Sequence, residues 1–128
     1  MLIRVYYEDT DCGNVVYYAN YLRYMERSRT EYLRERGIDL AEWRDRGITF
    51  VVVEANIRYR SSARYDDLLD VASTISELTS ASVTFATTIH RTKGPMLVKG
   101  SVRLACIDAS GHVKRIPDAI IKVLDSSS

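Results

Sequence analysis

The chain reads LIRVYY over residues 2 to 7, with Ile3, Val5 and Tyr7 at alternate positions, which is the period of a half-buried strand. Polar residues take over in EDTDCGN. From Tyr18 to Arg36 apolar positions return at spacings of three and four, through Leu22, Met25, Tyr32 and Leu33, with Arg29 in the same stripe and Ser28 beside it. That spacing predicts one long helix over 18 to 36, closed by Gly37, a residue type suited to the left-handed turn that ends helices. Asp39 and Glu42 make a capping-box pair for a short second helix through LAEWRDR to Gly47. From Phe50 the period falls to two. Val51, Val53, Ala55, Ile57 and Tyr59 are predicted to face the core, and Glu54, Asn56, Arg58 and Arg60 the opposite side. SSARYDD is a loop. LLDVASTISEL, SVTFATTIHR and the segment after the KGP turn follow as strands, with Val83, Phe85 and Ile89, then Val98, Val102, Leu104 and Cys106, inward. HVKRI is expected as a last short strand, PDAIIKVL as a capping turn of helix with Pro117 early in it, and SSS as a frayed tail.

One amphipathic helix has one sheet to cover. The order strand, long helix, short helix, meander therefore predicts an α+β fold, a curved antiparallel sheet of five or six strands wrapped around the long helix. The 128 residues suit a single domain over 1 to 128. Apolar residues at 46% and charged residues at 27% are ordinary globular usage, which argues against disorder or a coiled coil. A formal charge of +1 argues against nucleic acid as the main partner, because phosphate backbones are held by clustered basic surface. No apolar run approaches membrane-spanning length and MLIRVYYED lacks a long apolar core, so no membrane insertion and a cytoplasmic setting are expected. Cys12 and Cys106 are too far apart for a redox or zinc pair and are expected as free thiols. His90, on the polar face of its strand, and His112, in a turn, lack metal-ligand spacing, so neither metal nor cofactor is expected.

The unusual stretch is EDTDCGNVVYYANY, residues 8 to 21, where Glu8, Asp9 and Asp11 fall within four positions just before the helix. Carboxylates so close repel one another, which stability alone does not favour. A start of helix supplies unpaired N–H donors and partial positive charge, so acid and donor together suggest either a cap or a site.

YYEDTDCGNVVYYANYLRYMERSRTEYL closely resembles the signature of the 4-hydroxybenzoyl-CoA thioesterase family of hot-dog folds, particularly its Tol-Pal-associated acyl-CoA thioesterase subgroup, and FVVVEANIRYRSSARYDDLLDV is similar to the next family block. The resemblance implies an acyl-CoA thioesterase without metal or redox cofactor, whose substrate is split into free acid and coenzyme A. It implies catalysis by the second aspartate of the Asp-x-Asp element, here Asp11, and carbonyl polarisation by the backbone N–H at the start of the helix, here Tyr18. Two routes are open to Asp11, attack on the thioester carbon or deprotonation of an attacking water. Tyr7 matches a tyrosine common in the subgroup, and Tyr7 and Val16 are the expected substrate contacts beside the loop. Tyr18 stands where the subgroup often has histidine, and Asn14 replaces a loop glycine, although asparagine tolerates a left-handed conformation. The resemblance also implies homodimers with the site between subunits, often paired into tetramers. Arg60, Arg64 and Arg91, with Arg58 and Lys93, are candidates for the phosphates of coenzyme A.

Weaker candidates complete the set. Asp9 suits loop hydrogen bonding and Glu8 is expected in solvent. Neighbouring aspartates disfavour a Cys12 thiolate. Glu26 and Glu31 have arginines at helical spacing, so surface pairing is the simpler account, with Glu26 the second-choice carboxylate. The other readings of the fold are a hot-dog dehydratase, which would need a histidine that this loop lacks, and a non-catalytic acyl-CoA-binding scaffold.

Overall fold

A computed structural model describes residues 1–12 and 14–127, the side chains of Ser126 and Ser127 apart. Strand β1 (Leu2–Arg4) leads through a 3-10 turn (Tyr7–Asp9) to a small hairpin, β2 (Thr10–Asp11) and β3 (Val15–Val16). Helices α1 (Ala19–Glu35) and α2 (Leu40–Asp45) follow, then β4 (Thr49–Tyr59), β5 (Leu68–Leu78), β6 (Ser82–Arg91), β7 (Met96–Ile107) and α3 (Asp118–Ser127). The main sheet is antiparallel throughout, in the order β1-β5-β6-β7-β4. Its inner face carries Val71, Val83, Phe85, Ile89, Val98, Val102 and Leu104, all buried, and α1 lies across it.

Three contacts seat the helix. The Tyr32 ring meets Phe85 edge-on with centroids 5.6 Å apart. Ser28 Oγ lies 2.8 Å from Ser73 Oγ, which in turn lies 2.8 Å from Thr87 Oγ1, so the polar groups under the helix satisfy one another. At Gly100 the sheet has no side chain, and a Cβ built there would stand 2.8 Å from Met25 Cε and 3.1 Å from Asn56 O.

Both helix ends follow from their glycines. Gly37 (φ +82°) donates its N–H to Arg34 O at 3.0 Å while Ile38 N–H reaches Leu33 O at 2.9 Å, and Gly47 (φ +86°) and Ile48 repeat the arrangement on Arg44 O and Trp43 O. Asp39 Oδ1 caps α2 by accepting from Ala41 N–H at 3.0 Å. Glu42 reaches forward to Arg46 instead, so only half of the predicted capping box forms.

Five expectations change. β1 stops at Arg4 because Tyr6 already caps the 3-10 turn. Leu22 is 42% exposed, and the buried stripe of α1 runs instead through Tyr21, Tyr24, Met25 and Ser28. In β4 the ladder slips between Val52 and Glu54: Val52 pairs with Leu104 but Glu54 with Arg103. Val53 is the extra residue of a bulge, so Phe50 and Val52 face inward before it and Ala55, Ile57 and Tyr59 after it, whereas Val51 and Val53 do not. HVKRI contributes a single bridge, Val113 to Ile107, and no strand. The helix expected as a capping turn runs ten residues, burying Ile120 and Leu124 and extending to Ser127, into the expected frayed tail; Ser128 lies outside the described residues.

The seat at Gly100 is testable. Gly100→Ala should lower unfolding free energy by about 1–3 kcal/mol, the usual cost of overpacking, in urea titration with an unchanged slope.

Candidate active site

Asp9 organises the acidic loop. Its Oδ2 accepts the Tyr6 N–H at 2.9 Å, and its backbone O accepts both the Tyr17 N–H at 2.9 Å and Asn20 Nδ2 at 2.8 Å. The loop is thereby tied to the first turn of α1. Thr10 Oγ1 adds a hydrogen bond to Tyr7 O at 2.7 Å. Asp11 takes no part in these ties through its carboxylate. It pairs with Val15 across the hairpin, its backbone O accepts the Asn14 N–H at 3.1 Å, and the residue is exposed. Among the described residues of the turn, Cys12 takes a left-handed conformation (φ 47°) that few residues other than glycine adopt.

A second loop, residues 60 to 67, braces the hairpin from the sheet. Val16 N–H donates to Ala63 O at 2.8 Å, Val15 bridges to Arg64, and Tyr65 N–H reaches Asn14 O at 3.4 Å. Tyr21 Oη on α1 accepts the Ala63 N–H at 2.9 Å, which locks helix, hairpin and loop together. Asp67 holds the loop itself: Oδ2 accepts from Arg64 N–H and from Arg91 Nε, each at 2.9 Å, while Arg91 Nη2 donates to Ser62 O at 2.7 Å.

At the head of α1, Tyr18 has helical angles (φ −55°, ψ −32°) and no side-chain cap. Tyr17 N–H is already engaged by Asp9 O, and among the described residues no acceptor is bound to the Tyr18 N–H. That N–H is an outward donor at the positive end of the helix, two residues beyond the hairpin that carries Asp11. Tyrosines surround it. Tyr17 and Tyr18 stack with centroids 4.8 Å apart, and the Tyr17 pKa is raised by hydrogen bonding and charge repulsion from Tyr18, by burial, and by the Asp11 carboxylate. Tyr59 is pushed up by burial and by Tyr18, and the Tyr7 ring meets Tyr65 at 6.0 Å.

Tyr7, Asp11, Val16 and Arg64 lie in or against the hairpin, through the Thr10–Tyr7, Asp11–Val15, Thr10–Val16 and Val15–Arg64 contacts, and Tyr18 follows two residues later at the helix head. Tyr7 is 66% exposed, whereas the Val16 side chain belongs to the core and only its backbone faces the loop. Arg91 is close by, but its guanidinium is committed to Asp67 and Ser62 O. Arg60 stands apart, beside Arg58 and Lys99 around a cleft on the outer sheet face. Glu26 sits two turns along α1 and accepts from Thr30 Oγ1 at 3.2 Å, while Glu31 pairs with Arg34. The described residues hold no cluster of metal-ligating side chains, and both cysteines are free, Cys12 exposed and Cys106 buried with its thiol pKa raised by that burial. No helix is long and apolar enough to cross a membrane among the described residues.

Sequence reasoning missed Asn20, Tyr59 and Tyr65. Asn20 lies in the quoted motif, and a polar residue on the inner side of a helix was a usable signal; Tyr59 and Tyr65 arrive from remote segments that no local pattern connects to the loop.

Residues 5–124 match the model of the thioesterase-like superfamily. The acyl-CoA thioesterase YbgC of Haemophilus influenzae is 44% identical over 109 residues, covering 83% of this chain and 78% of that protein. The acyl-CoA thioester hydrolase YbgC of Escherichia coli O6:H1 is 36% identical over 106 residues, covering 83% and 79%. The crystal structure of a probable thioesterase from Bartonella henselae superposes with a TM-score of 0.84 at 36% identity, over 91% of this chain and 97% of that one.

The brace generates a prediction. Arg91→Met should cost about 1–3 kcal/mol of stability, the scale of hydrogen bonds made by a charged group, whereas Arg60→Met should stay within about 0.5 kcal/mol of wild type in the same thermal and urea unfolding measurements.

Proposed function

Because this chain belongs to the thioesterase-like superfamily, we propose that it splits acyl-CoA at the corner formed by the acidic hairpin and the head of α1, with Asp11 as the catalytic carboxylate. The chain is an acyl-CoA thioester hydrolase, releasing free acid and coenzyme A. The observation that carries the assignment is the nearness in sequence of a carboxylate and a helix-start N–H that are both, among the described residues, without a hydrogen-bond partner.

The chemistry follows from these positions. The thioester oxygen accepts the Tyr18 N–H, and negative charge growing on that oxygen is stabilised by the donor and by the helix end; loss of one such donor typically costs about 2.7–4 kcal/mol of barrier. Asp11 then attacks the thioester carbon to give a mixed anhydride that water opens, or removes a proton from the water that attacks directly. In either route the C–S bond breaks and the sulfur leaves as the coenzyme A thiolate, which takes up a proton. Tyr7 and the Val16 backbone flank the substrate, and Arg64, beside the hairpin, is the best placed of the basic candidates for a coenzyme A phosphate. Arg60 and Arg91 are candidates from further out. Two free thiols and a coenzyme A substrate support a cytoplasmic setting.

Assembly belongs to the same reading. β4 is an eleven-residue edge strand with Val52, Val53 and Tyr59 each about half exposed. Two copies joined along β4 cover that edge and bring a second sheet beside the site, and such dimers pair further into tetramers. The expected interface is about 1,200 Å² or more in total, and sedimentation should find no monomer at micromolar concentration.

Thiol release from a panel of acyl-CoAs tests the activity, and one variant tests the site. Asp11→Asn preserves shape while removing the charge that both routes need, so kcat should fall at least about a hundredfold with fold and oligomer size intact. Wild-type turnover in that variant, or no thiol release by the native chain from any acyl-CoA, defeats the proposal.

A further inference from the structure

Among the described residues one buried side-chain polar atom is left without a hydrogen bond, the hydroxyl of Tyr24 in α1. Packing accounts for its ring, which meets Tyr21 edge-on with centroids 6.2 Å apart. It does not account for the oxygen: phenylalanine would make the same ring contacts without burying an unpaired polar atom. The neighbouring phenol shows the contrast, since Tyr21 Oη accepts the Ala63 N–H.

Asp9 is the acceptor beside it. Asn20 and Tyr24 stand one turn apart on the same face of α1, and Asn20 Nδ2 already holds Asp9 O at 2.8 Å, so the acidic loop lies over this turn. Asp9 Oδ2 takes the Tyr6 N–H, whereas Oδ1 accepts nothing among the described residues. Burial, and then the charge and hydrogen bonding of Asp9, raise the Tyr24 pKa against a smaller opposite pull from Arg27, so the phenol keeps its proton and is a donor. Its oxygen nevertheless stays outside hydrogen-bond geometry. Hydrogen bonds at reacting sites are often long in the free protein and tighten when substrate binds. We propose that Tyr24 is a positioning residue for thioester hydrolysis: with substrate on the Tyr18 N–H, its phenol donates to Asp9 Oδ1 and draws the acidic loop onto α1. Asp9 O is bonded to the Tyr17 N–H and to Asn20, so fixing Asp9 fixes the spacing between Asp11 and the helix head. The inference rests on the hydrolytic reading of this corner and adds to it a residue that does not touch substrate.

Tyr24→Phe, which removes one oxygen, tests it in the full chain. With the fastest acyl-CoA of a panel, kcat should fall about tenfold or more while KM stays within about twofold, because no binding contact is lost. Stability in urea should hold level or rise, since an unpaired buried hydroxyl is gone. A purely structural tyrosine would do the reverse, losing stability and keeping kcat. In an Asp9→Asn background, where the charged acceptor is absent, Tyr24→Phe should change kcat by less than about twofold. A third readout leaves Tyr24 in place: with isotope labelling at tyrosine Cζ, the Tyr24 resonance of the native chain should shift on saturation with the thioether analogue of the same acyl-CoA, which cannot be hydrolysed, and should not shift in Asp9→Asn. The proposal is overturned by wild-type kcat in Tyr24→Phe, by independent effects of the two substitutions, or by a Tyr24 resonance that ignores the bound thioether. No thiol release by the native chain from any acyl-CoA defeats the hydrolytic reading and this one together, whereas thiol release with wild-type kcat in Tyr24→Phe defeats this one alone.

Discussion

The depth at which α1 sits on the sheet governs the rest of the structure. Gly100 leaves room for Met25, and the hydroxyl chain Ser28, Ser73, Thr87 lets polar groups share that buried contact without desolvation loss. With the helix at that depth, Tyr21 Oη meets Ala63 N–H, Asn20 meets Asp9 O, and the hairpin is pinned between helix and sheet. The same seating buries the Tyr24 hydroxyl close to Asp9 but outside the hydrogen-bond geometry that the other polar groups reach, and its pKa is raised by burial and then by Asp9. Among the described residues the core accepts this poorly satisfied polar atom alongside a fixed helix start.

The crowding of acids before the helix resolves into a division of labour. Asp9 is structural: through one carboxylate oxygen and one carbonyl it engages Tyr6, Tyr17 and Asn20. Asp11, two residues on, is exposed, and its charge is the least of the causes that raise the Tyr17 pKa. Asp9 also accepts the Tyr17 N–H, and among the described residues the next N–H of the helix start, that of Tyr18, has no internal partner. One aspartate thus ties the acidic loop to the helix start beside the two groups to which the proposed chemistry looks.

Much of this was legible in the order of residues. The boundaries of β5 and β6, the meander and the glycine stops at Gly37 and Gly47 follow local chemistry, so local pattern finds them. The bulge at Val53 was not legible, because an extra residue in a run of three valines leaves the hydrophobicity unchanged while reversing the faces. Leu22 was assigned to the core on spacing alone, whereas the tyrosines beside it, being larger, fill the space against the sheet. At the candidate site, the acidic loop and the helix head were legible in contiguous residues, whereas the short hairpin inside the loop was not. The brace from Asp67 and Arg91 could not, since it joins segments 24 residues apart through side chains that each also suit a solvent-exposed role. The basic candidates could not be told apart for the same reason: charge identifies them, and only the fold separates Arg64, beside the hairpin, from Arg60 on the outer sheet face.

The two margins of the sheet are unequal. β1 offers three residues, flanked by Arg4, whose guanidinium already holds Asp66 O at 2.7 Å, while β4 offers eleven. If the strand added along β4 is its own equivalent in another molecule, the long free side of both is consumed at once. Growth along that side then stops at two sheets. A long, valine-rich free strand closed off in such a pair is no longer available to template further strand addition.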